Sequence, residues 1–172
     1  MLIDIDRLTK DGLTVSRDFE YPSASLVEED AVFLKPVHVD LTVSKIEDQV
    51  RIKGSLSTLL RFNCARCLTP FEYPVDSRFD LVYLPEELEE LKEELEEEDV
   101  NTLYYSAPQL DLREVVLEQL NLTFPLRPLC SEDCPGICPV CGIVIRDGAC
   151  SCSVAAADPR LEALKSLTKD KK

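Results

Sequence analysis

The chain has 172 residues, a formal net charge of -14, 45% hydrophobic residues and 30% charged residues. This composition is typical of a globular protein, and no apolar run approaches the roughly 20 residues that a membrane-spanning helix needs. The start of the chain also lacks the basic region and the cleavage site of a secretion signal. We therefore expect a cytoplasmic protein with no membrane contact, whose 8 cysteines are reduced.

Three segments in the first half of the chain alternate apolar and polar residues, which is the pattern of half-buried strands. Apolar residues share one parity over 37–43, 50–64 and 71–83. Gly54 interrupts the second segment and predicts either a bulge or a close approach of two backbones. Because short connections separate the three segments, we predict an antiparallel β-meander.

Helices are predicted after these strands. Residues 86–99 follow Pro85 and place three leucines on one face, but glutamates four residues apart repel each other and weaken this helix. A firmer helix is predicted near 111–123, because Asp111 can act as its N-cap and Glu114 follows three residues later. A short C-terminal helix is predicted after Asp158.

These elements predict an α+β fold in two parts. Residues 1–129 are expected to form an antiparallel β-meander with one or two packed helices, an acidic insertion at 86–99 and the helix near 111–123. Residues 130–172 are expected to form a C-terminal Cys-rich zinc module and the short C-terminal helix.

The spacing of the cysteines is typical of structural zinc sites. A two-residue spacer lets two thiolates reach one tetrahedral ion, and Cys138-Pro-Val-Cys141 is followed by the glycine that a tight turn favours. We predict one or two structural Zn²⁺ ions. The preferred division is Cys138, Cys141, Cys150 and Cys152 on one ion, and Cys64, Cys67, Cys130 and Cys134 on the other. A second division joins Cys64 and Cys67 to Cys138 and Cys141, and leaves the other four to a second ion or to none.

Three other roles for the cysteines are weighed against structural zinc. Cysteines that only fill an apolar core have no reason to cluster in this way. Thioredoxin-like redox chemistry needs a Cys-x-x-Cys at the start of a helix after a βαβ strand, and neither pair has that setting. Catalytic zinc usually takes histidine ligands, whereas the single histidine, His38, lies in a predicted strand and is expected to be a surface residue.

Several segments together resemble a known family. Residues 54–71 contain a predicted strand that ends in Cys64-Ala-Arg-Cys67, residues 111–118 begin the predicted helix, residues 128–142 hold further cysteines, and residues 158–167 contain the last leucines. This pattern is similar to the YceD family of large ribosomal RNA subunit accumulation proteins, although residues 143–146 replace an expected Asn-containing turn. The resemblance implies a bacterial, non-enzymatic factor for accumulation or processing of large-subunit (23S) ribosomal RNA or for ribosome assembly.

Two hypotheses describe the partner. In the first, Arg51, Lys53 and Arg61 share the outward face of the second strand and, with Arg66 beyond it, contact phosphates of ribosomal RNA. The net charge does not exclude this, because segment 86–99 holds most of it and the remainder is only mildly acidic. In the second, the protein is a zinc-stapled adapter whose acidic segment binds a basic ribosomal protein, with no direct RNA contact. We expect no catalytic residues and no small-molecule substrate, because no nucleophile motif or phosphate loop is present.

Overall fold

The computed structural model of the protein describes residues 1–28, 30–88, 102–145 and 150–152. The strands are β1 (Leu2–Asp4), β2 (Leu13–Phe19), β3 (Val32–Phe33), β4 (Val37–Ile46), β5 (Gln49–Asn63), β6 (Pro70–Pro85), β7 (Thr102–Tyr105) and β8 (Gln109–Asp111), and the helix is α1 (Leu112–Leu122). Short 3-10 turns lie at Ile5–Arg7, Ser23–Ser25 and Glu86–Leu88. Within these ranges, no helix has the length and apolar character to cross a membrane.

The larger sheet has the strand order β2-β4-β5-β6-β7. β3 pairs with Leu60 and Arg61 of β5, just past the N-terminal end of β4. The strands β4, β5 and β6 are consecutive antiparallel neighbours, which confirms the predicted meander. A separate two-stranded antiparallel sheet joins β1 to β8. The described residues therefore form mostly strands with one helix, an α+β arrangement.

One strand corrects the purely antiparallel prediction. β7 pairs with β6 in the parallel direction, so that Val82 lies opposite Thr102 and Pro85 opposite Tyr105. Parallel neighbours need a long connection, because the chain must return to the starting end of the first strand. Residues 86–101 supply that connection, and of the helix predicted at 86–99 only the 3-10 turn Glu86–Leu88 is described. The rest of that helix, and the one predicted after Asp158, lie outside the described residues.

Alternate residues of the sheet face one core, as the predicted parity requires. Val39, Ile52, Leu56 and Phe62 are almost completely buried on this inner face. The helix α1 contributes a stripe of apolar side chains to the core, namely Leu112, Val115, Val116 and Leu120. This face of the sheet is therefore covered, while the polar residues between the buried ones lie on the outward face.

The two ends of α1 are held by different contacts. At its start the Asp111 carboxylate accepts a hydrogen bond from the Arg113 N–H at 3.0 Å, which confirms the predicted N-cap. After its end, the Phe124 ring meets Phe62 edge to face, with ring centroids 5.3 Å apart. This ring contact places the segment after α1 beside the end of β5, where the first cysteines occur. The division between residues 129 and 130 stays a prediction.

Gly54 lies where two strands approach closely. It pairs with Leu41 of β4 and Phe79 of β6 in an unbroken register, so the strand has no bulge at this position. A Cβ atom at Gly54 would lie 2.5 Å from the main-chain oxygen of Asp40 and 2.6 Å from the Cβ of Leu41. Main-chain atoms of a paired strand cannot move aside without loss of the sheet hydrogen bonds.

We predict that Gly54→Ala destabilises the protein by about 2 kcal/mol, because β4 must shift away from β5 to admit the methyl group. Urea unfolding measures the change in the free energy of unfolding. The matched control is Ser55→Ala, which we expect to alter stability by less than about 0.5 kcal/mol because Ser55 lies on the outward face. Equal stabilities of the two variants would contradict the close approach of β4 and β5.

Candidate metal centres

The first cluster of thiols joins the turn between β5 and β6 to the segment after α1. Its members are Cys64, Cys67, Cys130 and Cys134. In the turn, the Cys64 N–H donates to the Thr69 carbonyl oxygen at 3.0 Å, and the Leu68 N–H donates to that of Cys64 at 2.8 Å. Leu68 has a φ of 60°, so a left-handed residue follows the second thiol and lets the chain reverse.

The sulfur atoms of this cluster have the spacing of a tetrahedral metal site. All four Sγ atoms lie within 4.8 Å of one another, and the Cys64–Cys134 and Cys67–Cys130 Sγ distances are both 3.7 Å. A tetrahedral ion with Zn–S bonds of about 2.3 Å holds its sulfurs about 3.8 Å apart. A disulfide needs about 2.05 Å, so these two pairs are not disulfides, and their spacing suits an ion shared by all four sulfurs.

Hydrogen bonds also hold the two halves of the first cluster together. The Ala65 N–H donates to the Pro128 carbonyl oxygen at 2.8 Å. The Arg66 guanidinium donates through one nitrogen to the carbonyl oxygens of Glu132 at 3.2 Å and Cys134 at 3.0 Å. Arg66 therefore contributes to the structure of the cluster, in addition to the RNA contact predicted for it.

The second cluster is local in the chain. It comprises Cys138, Cys141, Cys150 and Cys152, whose Sγ atoms also lie within 4.8 Å of one another. The Gly142 N–H donates to the Cys138 carbonyl oxygen at 2.8 Å, and the Val140 N–H donates to the Cys138 sulfur at 3.4 Å. Gly142 has a φ of 74°, the left-handed conformation that the predicted tight turn requires. Residues 146–149, which connect the two halves of this cluster, lie outside the described residues.

The clusters differ in burial. Three of the four cysteines of the first cluster are buried, whereas in the second only Cys138 is buried and Cys141 is exposed. The first also packs against apolar neighbours, among them Phe71 and Leu129. An ion at the first cluster would therefore have an apolar surrounding, whereas one at the second would lie nearer to solvent.

Within each cluster the pKa of at least one thiol is lowered, whereas that of another is raised: the Cys134 pKa rises in the first cluster, and hydrogen bonding with Cys141 raises the Cys152 pKa to about 11 in the second. Burial raises the pKa of Cys64, but N–H groups such as that of Cys130 point at its sulfur and bring the pKa down to about 6. Amide N–H groups of Cys141 and Val140 similarly lower the pKa of Cys138 to about 6. Burial raises the pKa of Cys134 to about 12. A bound divalent ion overcomes such a penalty, because a coordinating thiol is deprotonated outright.

The eight cysteines thus meet in the two sets of the preferred division. In the described part of the chain, the pair Cys64 and Cys67 does not meet the pair Cys138 and Cys141, so the second division is not the one formed. The sequence offered both because spacing alone does not say which distant pairs approach.

The cations predicted to meet RNA lie on the outward face of β5, and carboxylates of neighbouring strands surround them. Arg51, Lys53 and Arg61 are exposed there. Arg51 forms a two-pronged pair with Asp80, with both N···O distances at 2.7 Å, and the Lys53 ammonium lies 4.0 Å from the same carboxylate. The hydrogen bond from Arg51 lowers the pKa of Asp80, which keeps this carboxylate charged.

Sequence reasoning did not assign the other charged residues of this face. Cross-strand pairing adds one cation, Arg78, opposite Ser55, and several carboxylates, namely Asp18, Asp40, Glu72 and Asp76. The alternation of β6 contained the signal for Arg78, Glu72 and Asp76, but the registers of β2 and β4 were needed to place Asp18 and Asp40 beside them. His38 is exposed on the same face, as predicted, and its hydrogen bond with Asp18 at 2.7 Å raises its pKa above 6.5.

Comparisons with known proteins agree with the resemblance found in the sequence. A family model described as "Large ribosomal RNA subunit accumulation protein YceD" matches residues 52–168. An uncharacterized protein of Mycobacterium tuberculosis is 30% identical over 106 residues, which are 61% of this chain and 49% of that protein. A chloroplastic protein of Arabidopsis thaliana, named as a YCED homolog for large ribosomal RNA subunit accumulation, is 24% identical over 165 residues, 82% of this chain and 48% of that protein.

The chain spans about half the length of these curated relatives. No solved structure matches it.

We predict that Arg66→Ala destabilises the metal-loaded protein by about 1 kcal/mol, because the carbonyl oxygens of Glu132 and Cys134 then lose the charged donor that joins them to the β5–β6 turn. Urea unfolding gives the value. Arg61→Ala is the matched control: Arg61 is exposed too, but its side chain forms no hydrogen bond or ion pair with any described residue, and the change should stay within about 0.5 kcal/mol. A neutral Arg66→Ala would mean that this side chain is only a surface cation.

Proposed function

Because this chain belongs to the YceD family of large ribosomal RNA subunit accumulation proteins, we propose that it promotes accumulation of large-subunit (23S) ribosomal RNA without catalysing a reaction. The observation that carries the proposal is the family match over residues 52–168, a range that includes both cysteine clusters. Reduced thiols suit a cytoplasmic protein, which is where we place its action.

We further propose that each cluster holds one structural Zn²⁺. The support is the donor set: four sulfurs within reach of one ion is the arrangement that zinc takes in structural sites. Bound at the first cluster, zinc would connect the β5–β6 turn to the segment after α1. The free energy of metal binding then adds to the free energy of folding, because the unfolded chain has no preformed site.

For the contact with the ribosomal particle, we propose that ribosomal RNA lies along the outward face of β5. Support comes from the row of exposed cations, Arg51, Lys53 and Arg61, on a covered sheet that keeps them fixed. Arg51 and Lys53 are successive outward residues of β5, about 7 Å apart, a spacing that can follow a phosphate backbone, and Arg61 lies eight residues beyond Lys53 on the same strand. The neighbouring carboxylates would limit the strength of this contact and make it sensitive to salt.

A specific observation favours a second candidate, the zinc-stapled protein adapter. Arg51 is already paired with Asp80, and Arg66 already donates to two carbonyl oxygens. Among the described residues of the outward face, the carboxylates outnumber the arginines and lysines. An acidic protein of this kind would enter ribosome assembly through a basic ribosomal protein, with no direct RNA contact.

The zinc proposal predicts unequal effects of two matched substitutions. Each of Cys134→Ser and Cys152→Ser should lower the zinc content from about two ions per chain to about one, as measured by mass spectrometry of the metal. Cys134→Ser should lower the free energy of unfolding by at least about 2 kcal/mol more than Cys152→Ser, because the first cluster is buried and joins distant segments. Purified protein without zinc, or equal decreases in stability, would contradict the proposal.

The RNA proposal predicts that Arg51→Gln, Lys53→Gln and Arg61→Gln together weaken binding of a large-subunit ribosomal RNA fragment. Removal of one phosphate contact should reduce the slope of log affinity against log salt by about 0.7. Levels of large-subunit RNA in cells that carry the triple variant should fall with the affinity. The measurements are fluorescence anisotropy over a series of salt concentrations and quantification of cellular RNA.

A triple variant elsewhere on the surface controls for the change in net charge. Arg7, Lys10 and Arg127 are exposed residues away from the outward face of β5, and their change to glutamine removes the same charge. This control should retain most of the affinity and normal RNA levels. If both triple variants behave alike, the face of β5 is only a solvated surface, and the adapter becomes the better account.

A further inference from the structure

A cavity of about 270 Å³ lies on the other side of the sheet from the outward face of β5. It is bounded by the end of β6, by β7, by the loop before β8 and by the first turns of α1. Its lining includes Tyr83, Tyr104, Tyr105, Glu114 and Glu118 and, among the described residues, no lysine or arginine, although Lys45 lies close enough to Tyr105 to oppose the rise of its pKa. Small-molecule sites usually enclose about 300–1,000 Å³, so this cavity is of a size for one side chain.

Tyr83 lines this cavity and is only 6% exposed. Its hydroxyl has no hydrogen-bond partner among the described residues. The fully buried side-chain oxygen and nitrogen atoms of the described residues all have partners. Tyr83 is one of the residues that line the cavity, and Glu118, whose carboxylate acts on the Tyr83 hydroxyl, lines it too. A nearly buried tyrosine hydroxyl usually finds a partner, so a ligand group is a candidate for that partner.

The charge of the cavity is negative. Glu114 and Glu118 lie one turn apart on α1, and neither forms an ion pair with any described residue. Carboxylates at this spacing repel each other and disfavour the helix, unless a cation lies between them. The third lining carboxylate, Asp111, is already neutralised, because it accepts the Arg113 N–H as N-cap and pairs with the amino group of Met1 at 2.6 Å.

The Glu118 carboxylate lies close enough to Tyr83 to affect the pKa of its hydroxyl. Burial, and after it the Glu118 carboxylate, raise the pKa of Tyr83 to about 12, so the hydroxyl stays neutral. A neutral hydroxyl oxygen can accept a hydrogen bond from a cationic N–H. Aromatic rings also attract ammonium and guanidinium groups through their negative faces.

We propose that this cavity binds an arginine or lysine side chain from a basic segment of a partner protein. The cationic group would lie against Tyr83, form ion pairs with Glu114 and Glu118, and donate a hydrogen bond to the tyrosine hydroxyl oxygen. RNA is not the expected occupant, because its phosphates would face the two glutamates. The site deepens the adapter candidate of the proposed function, on which it rests, by giving the surface that a basic partner would contact, and it requires no contact with ribosomal RNA.

The test uses a Gly-Arg-Gly-Arg-Gly-Arg peptide and the zinc-loaded full chain. The same peptide with citrulline in place of arginine keeps the shape of the side chain and removes its charge. We expect the arginine peptide, but not the citrulline peptide, to shift the amide resonances of Tyr83 and Glu118. Glu114→Gln with Glu118→Gln should weaken the peptide affinity about tenfold, and Tyr83→Phe about threefold to tenfold.

A control variant separates a site from general attraction to an acidic protein. Glu28→Gln with Glu72→Gln removes the same charge at exposed positions away from the cavity, and should leave the affinity within about twofold. Equal decreases in affinity in the two double variants would overturn the proposal, as would equal binding of the citrulline peptide. Stronger shifts at Tyr83 with an oligouridine than with the arginine peptide would overturn it in favour of RNA. Each outcome is independent of the RNA levels that test the proposed function.

Discussion

The apposition of two cysteine pairs from distant parts of the chain is the constraint on which the second half of the fold depends. Cys64 and Cys67 follow the end of β5, whereas Cys130 and Cys134 follow α1. Between them the chain forms β6, β7, β8 and the helix. Closing a loop of this length costs conformational entropy, which the ring contact at Phe62 offsets in part and which an ion bound by the four thiols would offset further. Because β8 pairs with β1 just before the helix, α1 is held at both ends over the core.

The family match begins within β5, so the matched range does not contain a complete sheet. β4 lies before it and pairs with β5 over residues 38–57. Its side chains Val39, Leu41 and Val43 are buried in the same core as α1. The part of this chain before residue 52 therefore supplies a core strand to the matched part, and the two fold together.

The distribution of charge gives the protein two different candidate surfaces. The outward face of β5 mixes arginines and lysine with carboxylates, and several of these charges already neutralise one another. The cavity beside α1 holds glutamates and a tyrosine hydroxyl. Because the sheet separates the two surfaces, contact with RNA on one would leave the other free for a basic protein. An acidic chain can thus take part in a process rich in RNA without binding RNA over most of its surface.

Local patterns in the sequence determined the strands β4, β5 and β6, the N-cap at Asp111 and the two divisions of the cysteines that spacing allows. These features depend on periodicity, capping and spacing, which act over a few residues. The tertiary structure decided which distant pairs of cysteines meet, that β7 runs parallel to β6, and that Arg51 forms an ion pair with Asp80. It also decided that Tyr83 and Glu118 line the same cavity. Residues on different elements become neighbours only when the whole core sets the strand register and the docking of the helix.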